Sequence, residues 1–220
     1  MYGITLKVWG EYACFTRPEM KVERVSYDVM TPSAARGIVE AIHYKPAIRW
    51  IIDEIAVLKP IQFSNIRRNE VSDIIKPNLN QIKKNPYQTI YLNTTEKRQQ
   101  RATLMLKDVA YIIKAHFEMT DKKGETDTPE KHYNIFLRRA REGQYFHQPY
   151  FGCREFPVHF QLLEREADFI ANKPIDESKD LGYMLYDIDF KNNMQPVFFR
   201  AQMENGIIKM PKELKGRVNC

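Results

Sequence analysis

The sequence predicts an α+β fold with a mainly antiparallel sheet, on three observations. Two short helices, each opening on a Thr-Pro pair, stand among runs of β-branched and aromatic residues. These elements come in the order strand, helix, strand, strand, helix, strand over residues 2 to 163. Three further short strands follow, the last two joined by Asn205-Gly206, a tight hairpin turn. The first order is the split βαβ, ferredoxin-like arrangement that RNA-recognition domains also use, and RRM-like in that sense. We therefore divide the chain into a ferredoxin-like domain at 1–163, carrying a basic insertion at about 67–100, and a small C-terminal antiparallel β-sheet region at 164–220.

Residues 2 to 9 alternate, with Tyr2, Ile4, Leu6 and Val8 on one face and Thr5 and Lys7 on the other, as a half-buried first strand does. Gly10 to Met30 reads as a loop or a pair of short extended pieces. Thr31 then caps the first helix, Pro32 occupies a first-turn position that needs no N–H, and Ala34, Ala35, Ile38, Ala41 and Ile42 recur at helical spacing. Pro46 fixes its exit. IRWIIDEIAVLKPIQF is too β-branched for a comfortable helix and reads as one long second strand. From Arg67 to Gln100 no period holds, which predicts a structureless connection, and one of that length in a compact domain is usually functional. Arg101 to Thr120 is the third strand, with a shift of alternation near Asp108 that suggests a bulge. After the turn DKKGETD, Thr128, Pro129 and Glu130 open the second helix, which Gly143 stops. REFPVHFQLL is the fourth strand, residues 164 to 180 are a polar boundary, and LGYMLYDIDF, PVFFRAQM and IIKM are the closing strands.

Of the 220 residues 43% are hydrophobic, which supplies a sizeable core, yet the apolar runs are too short to cross a bilayer. The N-terminus lacks the basic and apolar regions of a signal peptide. Cys14, Cys153 and Cys220 are scattered and form no CxxC pair, so reduced thiols in a cytoplasmic protein are expected, with no membrane partner, metal or cofactor. Phosphate-binding Gly-rich loops, the GxSxG elbow and the HExxH helix are all missing, which excludes the common ATPase, dinucleotide, serine-hydrolase and zinc-protease chemistries. The net charge of +6 is unevenly placed. Between residues 61 and 107 nine basic residues, among them Arg67, Arg68, Lys97, Arg98 and Arg101, face three acidic ones. Phosphate is the commonest partner of such a field, although a merely solvated loop has the same composition. Arg138, Arg139 and Arg141 add a basic flank to the second helix.

The first helix ends on His43, Tyr44 and Lys45, and the second begins with Lys131 and His132. Right-handed crossovers set both helices on one face of the sheet and antiparallel, which brings these two ends together. Free N–H groups at the second helix and the Lys131 charge favour an anion, and a phosphate held there would face His132. RNA is cut without a metal when a base takes the 2′-hydroxyl proton, a cation stabilises the phosphorane and an acid protonates the leaving 5′-oxygen. Two histidines and a lysine suffice for this. Ordinary solvated helix ends would read the same way. His116, His147 and His159 have no ligand spacing, and Tyr87, Tyr91, Tyr145, Phe146 and Tyr150 are candidates for stacking on bases.

The blocks FTRPEMKVERVSYDVMTPSAARGIVEAI, KPAIRWIIDEIAVLKPIQFSNIRRNEV, RATLMLKDVAY, EKHY, PYFGCREF and MENGII together resemble the CRISPR-associated RAMP proteins of the fifth Cas family, Dvulg subtype, of type I-C systems. The resemblance runs over essentially the whole chain. It implies a ferredoxin-like domain with a small C-terminal β region. The implied activity is metal-independent cleavage of precursor CRISPR RNA at the 3′ base of the repeat hairpin. The resemblance further implies that the product stays bound through its 5′ handle and that the protein joins the backbone and large subunits of the interference complex. By the same resemblance the catalytic lysine and histidine fall on Lys131 and His132. The third residue, a tyrosine in an A-I-Y-W-K-P type block, falls on His43, with Tyr44 where the tryptophan would be. Either His43 or Tyr44 then completes the set. Arg67, Arg68, Lys45, Lys97, Arg98, Arg101, Arg138 and Arg139 are the expected RNA contacts. A non-catalytic subunit that only holds the handle is the alternative; a metal-dependent DNA nuclease is less supported, since no DxD cluster is evident.

Overall fold

The computed structural model describes residues 2–20, 22–190 and 192–214, so Cys220 lies outside the described residues. In chain order the elements are β1 (Gly3–Ala13), β2 (Arg24–Val25), α1 (Pro32–Ile42), β3 (Ile48–Val57), β4 (Phe63–Val71), α2 (Leu79–Lys84) and β5 (Arg98–Met119). There follow α3 (Pro129–Arg141), β6 (His159–Leu162), α4 (Glu166–Ala171), β7 (Lys179–Asp189), β8 (Gln195–Glu204) and β9 (Ile207–Lys209). The protein is α+β, and its sheet is antiparallel except where β2 lies beside β5. Among the described residues the strands run β6-β1-β5-β3-β9-β8-β7, with β2 and β4 also paired to β5.

Two expectations about the middle of the chain are corrected. The long second strand is in fact two, because the chain turns at Leu58 to Gln62 around Pro60 and β4 begins at Phe63. The connection from Arg67 to Gln100 is not structureless. β4 and the first half of β5 form a two-stranded arm in register from Phe63↔Leu106 to Val71↔Arg98, and α2 lies in its tip. FSNIRRNEV hides this strand because β propensity reflects packing on a half-buried face, and here that face is half charged. Arg68 and Arg101 stand directly opposite each other, a repulsive pair that Glu70 neutralises by reaching both, at 3.3 Å and 3.1 Å. Arg24 joins them at 3.5 Å from Glu70, and Glu155 pairs with Arg68, so this network ties the root of the arm to the body.

Smaller differences have similar causes. β1 runs on to Ala13 rather than stopping at Trp9, since its partner β5 extends beyond it. The polar boundary after residue 163 contains α4, closed by an Arg165–Asp168 pair. The fourth strand shortens to four residues. At Asp108 the backbone turns left-handed, with φ 49°, and the ladder to β1 skips a pair, where the alternation shifts in the sequence. The C-terminal hairpin turns at Asn205-Gly206, both at positive φ as a type I′ turn requires, and β9 pairs with β3, so the sheet continues across the chain.

The helices start as read. Thr31 Oγ1 accepts from the Ala34 N–H and Thr128 Oγ1 from the Lys131 N–H, each followed by proline. α1 buries Ala35, Ile38, Val39 and Ile42, and α3 buries Phe136, Leu137 and Ala140 against Leu6, Trp50, Ile52 and Ile113 of the sheet. Trp50 stacks obliquely on Phe136 with ring centres 4.9 Å apart, and truncating either ring to alanine costs about 3–5 kcal/mol. That packing brings the C-terminal end of α1 against the side of α3, beside His132 and Arg139.

Candidate active site

α1 cannot continue past Ile42 because His43 adopts an extended backbone, φ −150°, on the way to Pro46. The carbonyls it leaves behind are paired rather than solvated: Arg139 donates to the Ile42 carbonyl at 2.8 Å and the Trp50 indole to that of His43 at 2.8 Å. This locks the His43 imidazole under α3. Its Nε2 lies 3.1 Å from Nδ1 of His132, with the rings near parallel and 5.3 Å between centres. Both side chains are 1% exposed. On its far side His132 Nε2 stands 3.2 Å from Asp127 Oδ1, within ion-pair range but outside hydrogen-bond geometry, and His43 Nδ1 has no partner.

Asp127 gathers the site. It accepts the Gly124 N–H at 3.0 Å, and its Oδ1 is also 3.4 Å from the Lys131 ammonium, which reaches the Thr126 carbonyl at 3.2 Å. The Gly124 bond, with help from Lys131 and His132, holds its carboxyl below the usual range. A carboxylate of the chain thus sits at the start of α3, beside the cation and imidazole expected there to face phosphate. Burial first, then His132, Arg139 and Lys45, push His43 down to about 4, so at neutral pH it is uncharged and can accept a proton. The contact joins two ring nitrogens, so one imidazole donates its N–H and the other accepts it.

Of the four residues singled out in the sequence, the structure joins His43, His132 and Lys131 around Asp127, while Tyr44 projects outward, 49% exposed, beside exposed Lys45. The eight basic candidates divide. Arg67, Arg98 and Arg138 are exposed. Arg68 and Arg101 are engaged by Glu70, Lys97 by Asp73 at 2.9 Å, and Arg139 by α1. Asp127 was missed by sequence reading: an acidic residue just before a Thr-Pro helix start is the signal, but the turn DKKGETD offers Asp121 as well. His116, buried in β5, is held by Asp53 at 2.6 Å, and His159, exposed on the edge strand β6, stacks on Trp9. Cys14 and Cys153, distant in sequence, are neighbours, and the Cys153 thiol reaches the Cys14 carbonyl at 3.8 Å. Among the described residues no three His, Cys, Asp or Glu side chains form a metal-binding group, and no helix is long and apolar enough to cross a membrane.

By fold and site the chain is an α+β protein with a largely antiparallel sheet, a basic two-stranded arm and paired imidazoles where α1 meets α3. The comparisons define that class more closely. A family model described as CRISPR-associated protein (Cas_Cas5), of the Cas5d kind, matches residues 3–211, and the chain belongs to this Cas5d family. It is 53% identical over 213 residues, 94% of either chain, to a Mannheimia succiniciproducens protein named CRISPR pre-crRNA endoribonuclease Cas5d. A protein of the same name from Thermus thermophilus is 40% identical over 233 residues, covering 97% of this chain and 93% of that one. A solved structure described as a CRISPR-associated protein shares the fold, with TM-score 0.69 at 24% identity, over 99% of this chain and 96% of the other.

Proposed function

We propose that this protein is an endoribonuclease that cuts precursor CRISPR RNA at the 3′ base of the repeat hairpin, without a metal, and stays on the 5′ handle as a cytoplasmic subunit of a type I-C interference complex beside its backbone and large subunits. The observation that carries the reading is the 3.1 Å contact between His43 and His132 with Lys131 adjoining. The names of the two full-length relatives support the substrate. The strand order β6-β1-β5-β3, with a helix after the first and third of the expected strands, supports a ferredoxin-like core, and the strands β7, β8 and β9 support a small C-terminal β region joined to it through β3.

In the proposed reaction the 2′-oxygen attacks the adjacent phosphorus, the P–O5′ bond breaks, and the products are a 2′,3′-cyclic phosphate and a free 5′-hydroxyl. Uncharged His43 is suited to relay the 2′-hydroxyl proton and His132 to return it toward the 5′-oxygen, while Lys131 offsets the charge of the phosphorane. Tyr44, 49% exposed, takes the third role if His43 stays covered. Exposed Arg67, Arg98, Arg138 and Lys45 hold the RNA backbone.

The second reading, a handle-binding subunit that does not cut, gains from one fact: both imidazoles are 1% exposed. Single-turnover cleavage of the repeat hairpin in EDTA separates the two. We expect cutting to persist in chelator and to vanish when the scissile nucleotide is 2′-deoxy; tight binding with no cutting supports the second reading.

A further inference from the structure

Beside α1 lies a cleft of about 450 Å³, lined along the helix by Ser33, Gly37 and Glu40, a stripe that leads at helical spacing toward His43. Glycine is the worst helix-interior residue after proline, so one in the middle of an eleven-residue helix calls for a reason. Packing is not that reason: a Cβ at Gly37 would meet nothing within 4 Å. What the missing side chain keeps clear is the cleft. Its walls are mixed, with the rings of Phe15 and Tyr150 offering flat apolar surface and Thr31, Ser33 and Glu40 offering polar groups. The size and lining suit a small planar ligand.

Glu40 defines what that ligand must present. Its Oε1 accepts from Arg36 at 3.0 Å, and Arg36 is in turn held by Asp187 at 2.7 Å, so the carboxylate is fixed in direction and remains an acceptor through Oε2. A planar group with two adjacent N–H donors matches a carboxylate edge. Of the four RNA bases only guanine carries such a pair, N1–H and N2–H, on its Watson–Crick edge. The location fits as well. Glu40 stands three residues before His43, about 4.5 Å along the helix axis, and the rim residue His147 hangs its N–H on the Ala41 carbonyl at 3.4 Å. A nucleotide next to a phosphate at the α1–α3 junction therefore reaches the cleft. Sequence-specific RNA recognition works mostly on such splayed, unpaired bases.

We propose that this cleft receives an unpaired guanine flanking the scissile phosphate, read by Glu40 above the open face of Gly37; the position relative to the phosphate rests on the nuclease reading, and the base site itself does not. Two measurements keep them apart. In saturation-transfer NMR, guanosine monophosphate is expected to bind the full-length protein at least tenfold better than adenosine monophosphate. Gly37→Leu, which fills the cleft, and Glu40→Gln are expected to erase that preference, and His132→Ala to keep it. Equal binding of the two nucleotides overturns the site. Gly37→Ala, expected to raise the melting temperature, shows that position 37 tolerates a side chain. In the second measurement each unpaired guanine of the repeat hairpin is replaced by inosine, which lacks the N2 amine. One position is expected to lose at least tenfold in cleavage rate with wild type and under threefold with Gly37→Leu. Cleavage indifferent to every replacement overturns the site and leaves the nuclease reading intact. No cleavage, with the guanosine preference present, leaves the site and removes the nuclease.

Discussion

The arm formed by β4 and β5 and the junction of α1 with α3 are both rich in positive charge, yet they handle it in opposite ways. At the junction the imidazoles are buried, and backbone carbonyls, Asp127 and Trp50 surround the groups that matter. On the arm the charges lie on the surface, but Arg68 and Arg101 are neutralised by Glu70 while Arg67 on the other face is exposed. Charge counted along a sequence is therefore a poor measure of charge available to a partner. Burial decides how a group titrates, and pairing decides whether it can bind.

The largest test of this contrast is His132→Ala, which we expect to lower single-turnover cleavage by about 10³-fold while leaving hairpin affinity within threefold. A comparable loss of affinity would make the junction a binding corner and erase the contrast. Asp127→Asn comes next. If Asp127 orients His132 and Lys131, cleavage falls by up to about 10²-fold. If it competes with phosphate for the same cation, cleavage rises, and the sign of the change decides.

Burial at the junction also predicts pH-dependent stability. Burial lowers His43 from the ordinary imidazole value of 6.5 to about 4 in the folded protein, so the unfolded chain binds more protons between these values. Its contribution is complete above pH 6.5 and is lost as the pH falls toward 4. Denaturant unfolding at pH 7 and pH 5 should differ by about 2 kcal/mol for this group, and His43→Gln should remove that difference. An unchanged slope with pH in the variant would show that the imidazole is solvated.

On the arm the effects are smaller. Arg67→Ala or Arg98→Ala should weaken hairpin binding at low salt and reduce the salt slope by about one unit. Arg68→Ala should leave that slope unchanged and cost about 1 kcal/mol of stability, because its partners are Glu70 and Glu155. Equal slopes for the two arginines would mean that the ion pairs open on binding.

The chain itself determined the parts that local chemistry specifies. Thr31-Pro32 and Thr128-Pro129 fixed both helix starts, Pro46 the exit that leaves His43 as a cap, Asn205-Gly206 the last turn, and Asp108 the break in β5. The meeting of the end of α1 with α3 followed from strand order and crossover hand alone. Tertiary structure decided the rest. β4 exists only because β5 and a glutamate shared by three arginines complete it, a sum of contacts far apart in sequence. Whether His43 or Tyr44 faces inward depends on which of two adjacent side chains an extended residue turns toward α3, and that was settled by Arg139 and Trp50 holding the end of α1. Asp127 became part of the site for the same reason: direction and burial are properties of packing, and residue type alone does not carry them.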